Sequence, residues 1–307
     1  MDQVNDDRYE GINIILLLGV VVIGFVVVGP LIGAMVAIPF FGGSIEDFMA
    51  ALTNPLDHPE IKIPFFITQG FTTLIGLIVA PLVLLMGIRK RPSLYFSAPS
   101  SQEMLYLLAV PITIGFMIVN SPFIQWNANI HFPEVLSSFE DWARAREDFA
   151  MAVTEFLTTF SSIGELIMGL LVIAVLPALG EEFVFRGLLQ PLLHRHTHNI
   201  HAAIWLSAIL FSAMHLQFFG FVPRVLLGGL FGYLFFWSGN LWIAILAHFV
   251  NNGFSVVMLY LYQQGKSDLD MNSTEAAPWG LVAGASLFTF ALLYFFKRHS
   301  TQPSSSL

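Results

Sequence analysis

Long apolar runs decide what this chain can fold into. Taking stretches of about 18 or more mainly apolar residues as spans, helices fall near residues 11–40, 64–88, 103–120, 163–193, 201–219, 223–238, 241–262 and 279–296. Inside hydrocarbon every backbone N–H and C=O needs an internal partner, which leaves helices and closed barrels as spanning structures. The runs are long and continuous, unlike the alternating ten-residue segments of outer-membrane barrels, so helices are the spanning element. Composition agrees: of 307 residues 56% are hydrophobic and 11% charged, too few polar side chains to cover a water-soluble globule of this size. The fold class expected is all-α, a polytopic transmembrane helical bundle of about eight spans. Gly29, Pro30 and Pro39 mark a bend or an early end in the first span.

The connection from 121 to 162 is the one long link between spans. Its Val135, Leu136, Phe139, Trp142, Phe149, Val153, Phe156 and Leu157 recur at three- and four-residue spacings among charged residues, which reads as an amphipathic interfacial helix. The organisation expected is therefore an N-terminal group of spans over 1–120, the interfacial segment 121–162, a core over 163–262, and a last span with a short tail over 263–307. The Ser-rich stretch Ser304–Ser306 reads as disordered tail. The first ten residues are acidic and the following apolar run is too long for a signal-peptide core, so the first helix is expected to stay as an anchor.

Lys and Arg near the span ends give the orientation. Arg8, Arg89, Lys90, Arg91, Arg195, Lys297 and Arg298 fall on one side, and Lys62, Arg144, Arg146, Arg224 and Lys266 on the other. This places both termini in the cytoplasm, in a multi-pass membrane protein with lipid as its surroundings. The net charge of −8 is spread over loops and nothing favours nucleic acid as a partner. With no cysteine, thiolate catalysis, iron–sulfur ligation and thiolate zinc sites are excluded. Any metal has to be held by His and carboxylates.

Glu181, Glu182 and Arg186 stand inside one of the most apolar stretches. Each ionised side chain near a bilayer centre costs roughly 2.5–3.5 kcal/mol on insertion scales, which makes a functional site the default reading of three in six residues. In a helix Glu182 and Arg186 share a face and can pair, while Glu181 points about 100° away. Two further spans carry histidines at the same four-residue spacing, Phe211 with His215 and His248 with Asn252. At about 1.5 Å per residue, Glu181 lies roughly 20 Å and His215 roughly 22 Å from the His194–Ile200 connection, and His248 roughly 12 Å beyond Asn240. These depths are compatible with one cavity in or near the cytoplasmic half of the membrane.

A partly desolvated carboxylate can take a proton from water at neutral pH with a histidine to help polarise it, and an amide with a second histidine can donate to the oxyanion of a tetrahedral intermediate. Peptide hydrolysis by activated water follows. Glu181, His215 and His248 also have a known zinc-ligand composition, so a divalent metal such as zinc is chemically reasonable; no other cofactor is implied. There is no H-E-x-x-H helix, no aspartate within the assigned spans for an aspartyl dyad, and no base beside Ser255.

The three motifs, Glu181-Glu182-Phe-Val-Phe-Arg186, Phe211-Ser-Ala-Met-His215 and His248-Phe-Val-Asn-Asn252, resemble those of the CPBP family, the CAAX proteases and bacteriocin-processing enzymes also called Abi, in the same order on separate spans. The resemblance covers about 163–256 and is closer to the prokaryotic members. It implies an intramembrane glutamic or metallo-protease acting on a peptide or membrane-protein substrate. It further implies Glu181 as general base, His215 as its partner on the water, and His248 and Asn252 as oxyanion donors or metal-site residues, with Glu182, Arg186 and Phe211 in support. The competing reading is a non-catalytic membrane protein of the same fold, a scaffold or immunity factor.

Overall fold

Prolines shape the spans. In a computed structural model of the protein, which describes residues 7–96, 98 and 102–300, three spans contain four wide helical turns, Gly24–Val28, Leu74–Val79, Leu170–Val175 and Phe183–Leu189. Each ends two residues before a proline: Pro30, Pro81, Pro177 and Pro191. Proline offers no N–H to the carbonyl four residues back and its ring crowds that carbonyl, so the ladder widens to the i→i+5 pattern instead of breaking. The bend expected at Gly29–Pro30 takes this form, and the first helix runs on to a tight turn at Ile38–Phe40.

The longer helices are α1 (Ile14–Phe40), α2 (Ile45–Thr53), α3 (Pro59–Gly87), α4 (Glu103–Ala128), α5 (Ser137–Thr158), α6 (Ile163–Thr197), α7 (Ile200–Ala213), α8 (Phe221–Ser238), α9 (Leu241–Gln263) and α10 (Trp279–His299). Among the described residues there is no strand, and seven of these helices, all but α2, α5 and α7, are long and apolar enough to cross a membrane. The chain is a multi-pass membrane protein. Large side chains such as Ile15, Leu107 and Leu287 stand exposed on the outside of the bundle, where lipid is their solvent. Residues 1–6 and the Ser304–Ser306 tail lie outside the described residues.

The fifth expected span, 201–219, is shorter in the structure. Its helix α7 has 14 residues, about 21 Å at 1.5 Å per residue, against a hydrocarbon core of about 30 Å. Leu216 takes a left-handed backbone (φ 53°), and the chain turns through residues 214–220 before α8 begins. His215 therefore stands in a turn within the bundle, not on a span.

The short α7 leaves a gap on the side of the membrane away from Arg8, Arg89–Arg91 and Lys297–Arg298, and α5 crosses it. The apolar stripe foreseen for α5 is used for this. Phe139 and Trp142 meet Phe218 with ring centroids 5.0 and 5.9 Å apart, and the Arg144 guanidinium lies 4.1 Å from the centre of Phe219. At its other end Lys62 donates to the Thr159 carbonyl and pairs with Glu165 at 2.8 Å, while Gln263 Nε2 donates to the Thr158 carbonyl at 2.9 Å. The remaining face of α5, with Asp141, Ala145 and Asp148, is exposed.

Two cores hold the bundle. One gathers Leu77, Ala178, Phe183, Phe185, Phe231, Ala244 and their neighbours around the middle of α6; the other, near α5, contains Phe48, Phe66, Leu157, Phe160 and Val256. Gly180 lets α6 approach α3 closely, since a Cβ there would lie 2.7 Å from the Cβ of Leu77.

Candidate active site

Glu181 and Glu182 lie between the two wide turns of α6, about 27 Å from Ile163 and about 24 Å from Thr197 along the helix, near its middle. The pair expected between Glu182 and Arg186 is formed: Arg186 Nη1 donates to Glu182 Oε1 at 2.9 Å, and both side chains have no exposed surface. Arg186 Nη2 donates to the Gly228 carbonyl at 2.9 Å, and its guanidinium lies 4.8 Å from the centre of Phe211 and 5.7 Å from that of Phe231. Gly228 allows this approach, because a Cβ there would sit 3.1 Å from Arg186 Nη2.

Glu182 has a second partner that helical spacing does not show. The same Oε1 accepts from His248 Nδ1 at 2.8 Å. Donation from Nδ1 leaves the lone pair of the neutral imidazole on Nε2, and that nitrogen lies 3.2 Å from Asn252 Nδ2 and 3.8 Å from Glu181 Oε2. The ring is stacked on Phe231, centroids 5.2 Å apart at 21°, and meets Phe211 edge-on at 6.1 Å. Glu182 thus orients both Arg186 and His248.

Glu181 differs from its neighbour. Its side chain keeps 16% of its surface exposed, and among the described residues it makes no hydrogen bond; His248 Nε2 is its near contact. One carboxylate is locked in a dry network, and the adjacent one keeps a small exposed surface.

Asn252 is held by the α6 backbone. Pro177 cannot donate to the carbonyl of Ile173, and Asn252 Nδ2 supplies the donor at 3.0 Å. Asn251 Nδ2 in turn donates to Asn252 Oδ1 at 3.0 Å. Both amide hydrogens of Asn252 therefore have partners, the Ile173 carbonyl and His248 Nε2. The oxyanion role implied by the motif leaves neither hydrogen free in this arrangement.

His215 is on the same Phe211 ring, 5.1 Å between centroids, and its Nδ1 donates to the Phe211 carbonyl at 2.9 Å, again leaving the lone pair on Nε2. The expected direct meeting of His215 with Glu181 is not made: no hydrogen bond links them, because α7 stops short and His215 is tethered to its own helix end. Among the described residues no three His, Asp or Glu side chains gather closely enough to hold a metal ion, and His248 Nε2 already faces an amide donor. The set Glu181, His215 and His248 does not fit a metal as it stands.

A crevice of about 350 Å³ runs along the wall that bears His215. Its sides are Leu52, Phe65 and Gln69 from α2 and α3, Arg146, Phe149 and Val153 from α5, and Leu216 and Gln217 from the turn. It lies between α5 and these neighbouring segments.

One charged residue beside the site is absent from the sequence-derived set. Arg224, one helical turn before Gly228 on α8, donates from Nη2 to Gln217 Oε1 at 2.8 Å, while its Nη1 is buried without a partner. The charges of Glu147 on α5 and of Glu181 both act on it. Counted by position it looks like a loop cation; its place in the Phe221–Leu227 stretch is the signal that separates it from one.

Comparison with known proteins bears on this geometry. Residues 163–254, which carry all three motifs, match the family model described as type II CAAX prenyl endopeptidase Rce1-like. Residues 163–254 are thus similar to that family. The chain is also similar to an uncharacterized Bacillus subtilis (strain 168) protein, YpbD, 29% identical over 82 residues. That match covers 25% of this chain and 39% of YpbD. No solved structure gives a significant match. The helices outside 163–254 supply the crevice's other walls and its cover.

Proposed function

We propose that this protein is an intramembrane endopeptidase in which Glu181 activates a water to hydrolyse a peptide bond. The observation that carries the reading is the contrast between adjacent acids: Glu182 is fully buried and doubly bonded to Arg186 and His248, whereas Glu181 is partly exposed, unbonded, and 3.8 Å from an imidazole nitrogen that bears a lone pair. A carboxylate free of partners in a poorly solvated place is suited to take a proton from water and return it to the leaving amine. His248 is held by Glu182, Asn252 and Phe231 to shape that space, and His215 borders it from the crevice. The match of residues 163–254 to the family model supports the same chemistry.

The substrate proposed is an extended peptide or the end of a membrane protein that enters by the crevice under α5. A prenylated Cys-aliphatic-aliphatic-X peptide is the first probe, by analogy with the family description. The protein purified in lipid nanodiscs is incubated with a farnesylated peptide of this kind and with unprenylated apolar peptides, and products are identified by mass spectrometry. Cleavage at a single bond with wild type supports the reading; intact peptides throughout, with biological function retained when Glu181 is replaced by Gln, support a non-catalytic membrane protein instead.

We also propose a bacterial plasma membrane location with both termini cytoplasmic. Of the cations on the far side, Lys62 and Arg144 are paired with Glu165 and Glu140 and Arg224 is partly buried, which strengthens the bias toward the Arg89–Arg91 and Lys297–Arg298 side. The chain lacks cysteine, so single-cysteine variants test this cleanly. Ser93→Cys should be shielded from an impermeant maleimide in intact cells and Ser273→Cys labelled; the reverse pattern inverts the topology.

A further inference from the structure

Most of the crevice wall beside His215 is apolar, with Leu52, Phe65, Phe149, Val153 and Leu216 among its residues. Its polar side chains divide into engaged and idle. Thr53 Oγ1 donates to the Met49 carbonyl at 2.9 Å, and Gln217 Oε1 accepts from Arg224 at 2.8 Å. Gln69 of α3 and Arg146 of α5 make no hydrogen bond or ion pair among the described residues, and His215 keeps the lone pair of Nε2 unused. An apolar cleft of a few hundred Å³ with a small number of unengaged polar groups on its wall is the form a ligand site takes.

Among the described residues Arg146 is the one charged side chain in that wall. Its helix is rich in acids, Glu140, Asp141, Glu147, Asp148 and Glu155, yet none is placed to neutralise it. A helix brings residues three and four apart together, and those positions around Arg146 hold Trp142, Ala143, Phe149 and Ala150. Glu147 accepts from the Phe219 amide at 3.3 Å, and Asp148 is on the exposed face. Arg144, two residues earlier, shows the contrast: it pairs with Glu140 at 2.7 Å and its guanidinium lies against Phe219. In a chain of net charge −8, a crevice lined by a cation and no acid is set for an anion. A partly enclosed charge is also screened less by salt than one in open water.

We infer that Arg146 anchors a carboxylate of the substrate, so that the crevice takes apolar peptides that carry one, at the chain end or on an Asp or Glu side chain. The inference rests on the reading of this protein as a peptidase and names the chemistry its substrate bears. The planar guanidinium fork matches the two oxygens of a carboxylate. Gln69 offers an amide N–H and C=O, the complement of the same groups in a peptide backbone, and the apolar wall takes the side chains. His215 joins this wall to the site, because it and His248 pack on the same Phe211 ring.

The test reads binding before turnover. Full-length Glu181→Gln protein in phosphatidylcholine nanodiscs, used so that the peptide stays intact, is titrated by fluorescence anisotropy with empty nanodiscs subtracted. The probe is one N-terminally labelled apolar hexapeptide in three forms: free C-terminal acid, C-terminal amide, and amide with an internal Asp. The free acid, the Asp form or both should bind about tenfold or more tighter than the plain amide, the gain of a hydrogen bond to a charged group. Which form gains tells whether the carboxylate is the chain end or a side chain. Adding Arg146→Gln should bring every form to the affinity of the amide, and Arg146→Lys, which keeps the charge without the fork, should keep part of the preference. With Glu181 in place and a peptide that wild type cuts, Arg146→Gln should act on KM rather than kcat, the mark of binding shared by ground and transition states. Arg146 is exposed and unbonded, so the variant should fold, and its Tm verifies this. Equal affinity for the three forms overturns the inference, as does a preference that survives Arg146→Gln. Anionic lipid retained by wild type and lost from Arg146→Gln, with no peptide preference, also overturns it and makes the residue a membrane anchor. Failure of the peptidase reading is distinct: wild type then cuts no peptide, whatever the order of affinities.

Discussion

Replacing Arg186 by Met tests the buried network that positions the site. Arg186 has no exposed surface, and it holds Glu182 at 2.9 Å and the Gly228 carbonyl at 2.9 Å. Methionine fills much of the volume but leaves the Glu182 carboxylate without its countercharge. Removing one partner of a buried ion pair costs about 3–5 kcal/mol, because the remaining charge is uncompensated. The lost cation–π contact with Phe211 adds roughly 0.5–2 kcal/mol and the Gly228 carbonyl roughly 1 kcal/mol. His248 Nδ1 still donates to Glu182, which offsets part of the sum, so a total of about 3–5 kcal/mol is expected. Reversible denaturant unfolding in mixed micelles measures it. The double variant Glu182→Gln, Arg186→Met should be more stable than Arg186→Met alone, since no unpaired charge stays buried. An Arg186→Met protein within about 1 kcal/mol of wild type, against the loss expected for a broken buried pair, or a double variant no better than the single one, refutes the network as the support of the site.

Two further outcomes are expected. Asn252→Leu should lose about 1–3 kcal/mol, because the Ile173 carbonyl opposite Pro177 is left without a donor, and turnover should fall as His248 loses its Nε2 contact; an unchanged Tm would contradict the backbone role. Glu147 on α5 accepts from the Phe219 amide at 3.3 Å, and burial raises its pKa above the ordinary 4.5 despite that bond and the charge of Arg224. A raised folded-state pKa means the contribution is full below about pH 4.5 and lost as pH rises through the folded value. Wild-type Tm should therefore fall over that window relative to Glu147→Gln, and a Tm difference that does not vary with pH would show that the buried carboxyl is not what titrates.

Much of the site is legible because it is local. The four-residue spacing puts Glu182 beside Arg186 and Phe211 beside His215, and the structure has both contacts. Apolar run length gives the spans for the same reason, as each is a property of consecutive residues. The contact of Glu182 with His248 joins residues 66 positions apart, and azimuths counted at 100° per residue lose their phase across the wide turn at Phe183–Leu189. Pro177 and Pro191 carry the signal for the wide turns, but not which side chain meets the freed carbonyl. The early end of α7 hides in a stretch whose apolar residues continue past Ala213, into Leu216, Phe218 and Phe219, because those side chains face α5 and the crevice instead of lipid. Arg224 reads as an ordinary loop cation until the turn before it is seen to fold inward.

The most direct test of the central claim is the kcat of Glu181→Gln relative to wild type in nanodiscs, measured beside the Tm of each. Glutamine keeps the shape and removes the base. The expected result is a loss of at least about 10³-fold, somewhat beyond the middle of the range for general acid–base catalysis because Glu181 serves both proton transfers, with Tm unchanged or slightly raised. Turnover at the wild-type rate in the folded variant would contradict the account.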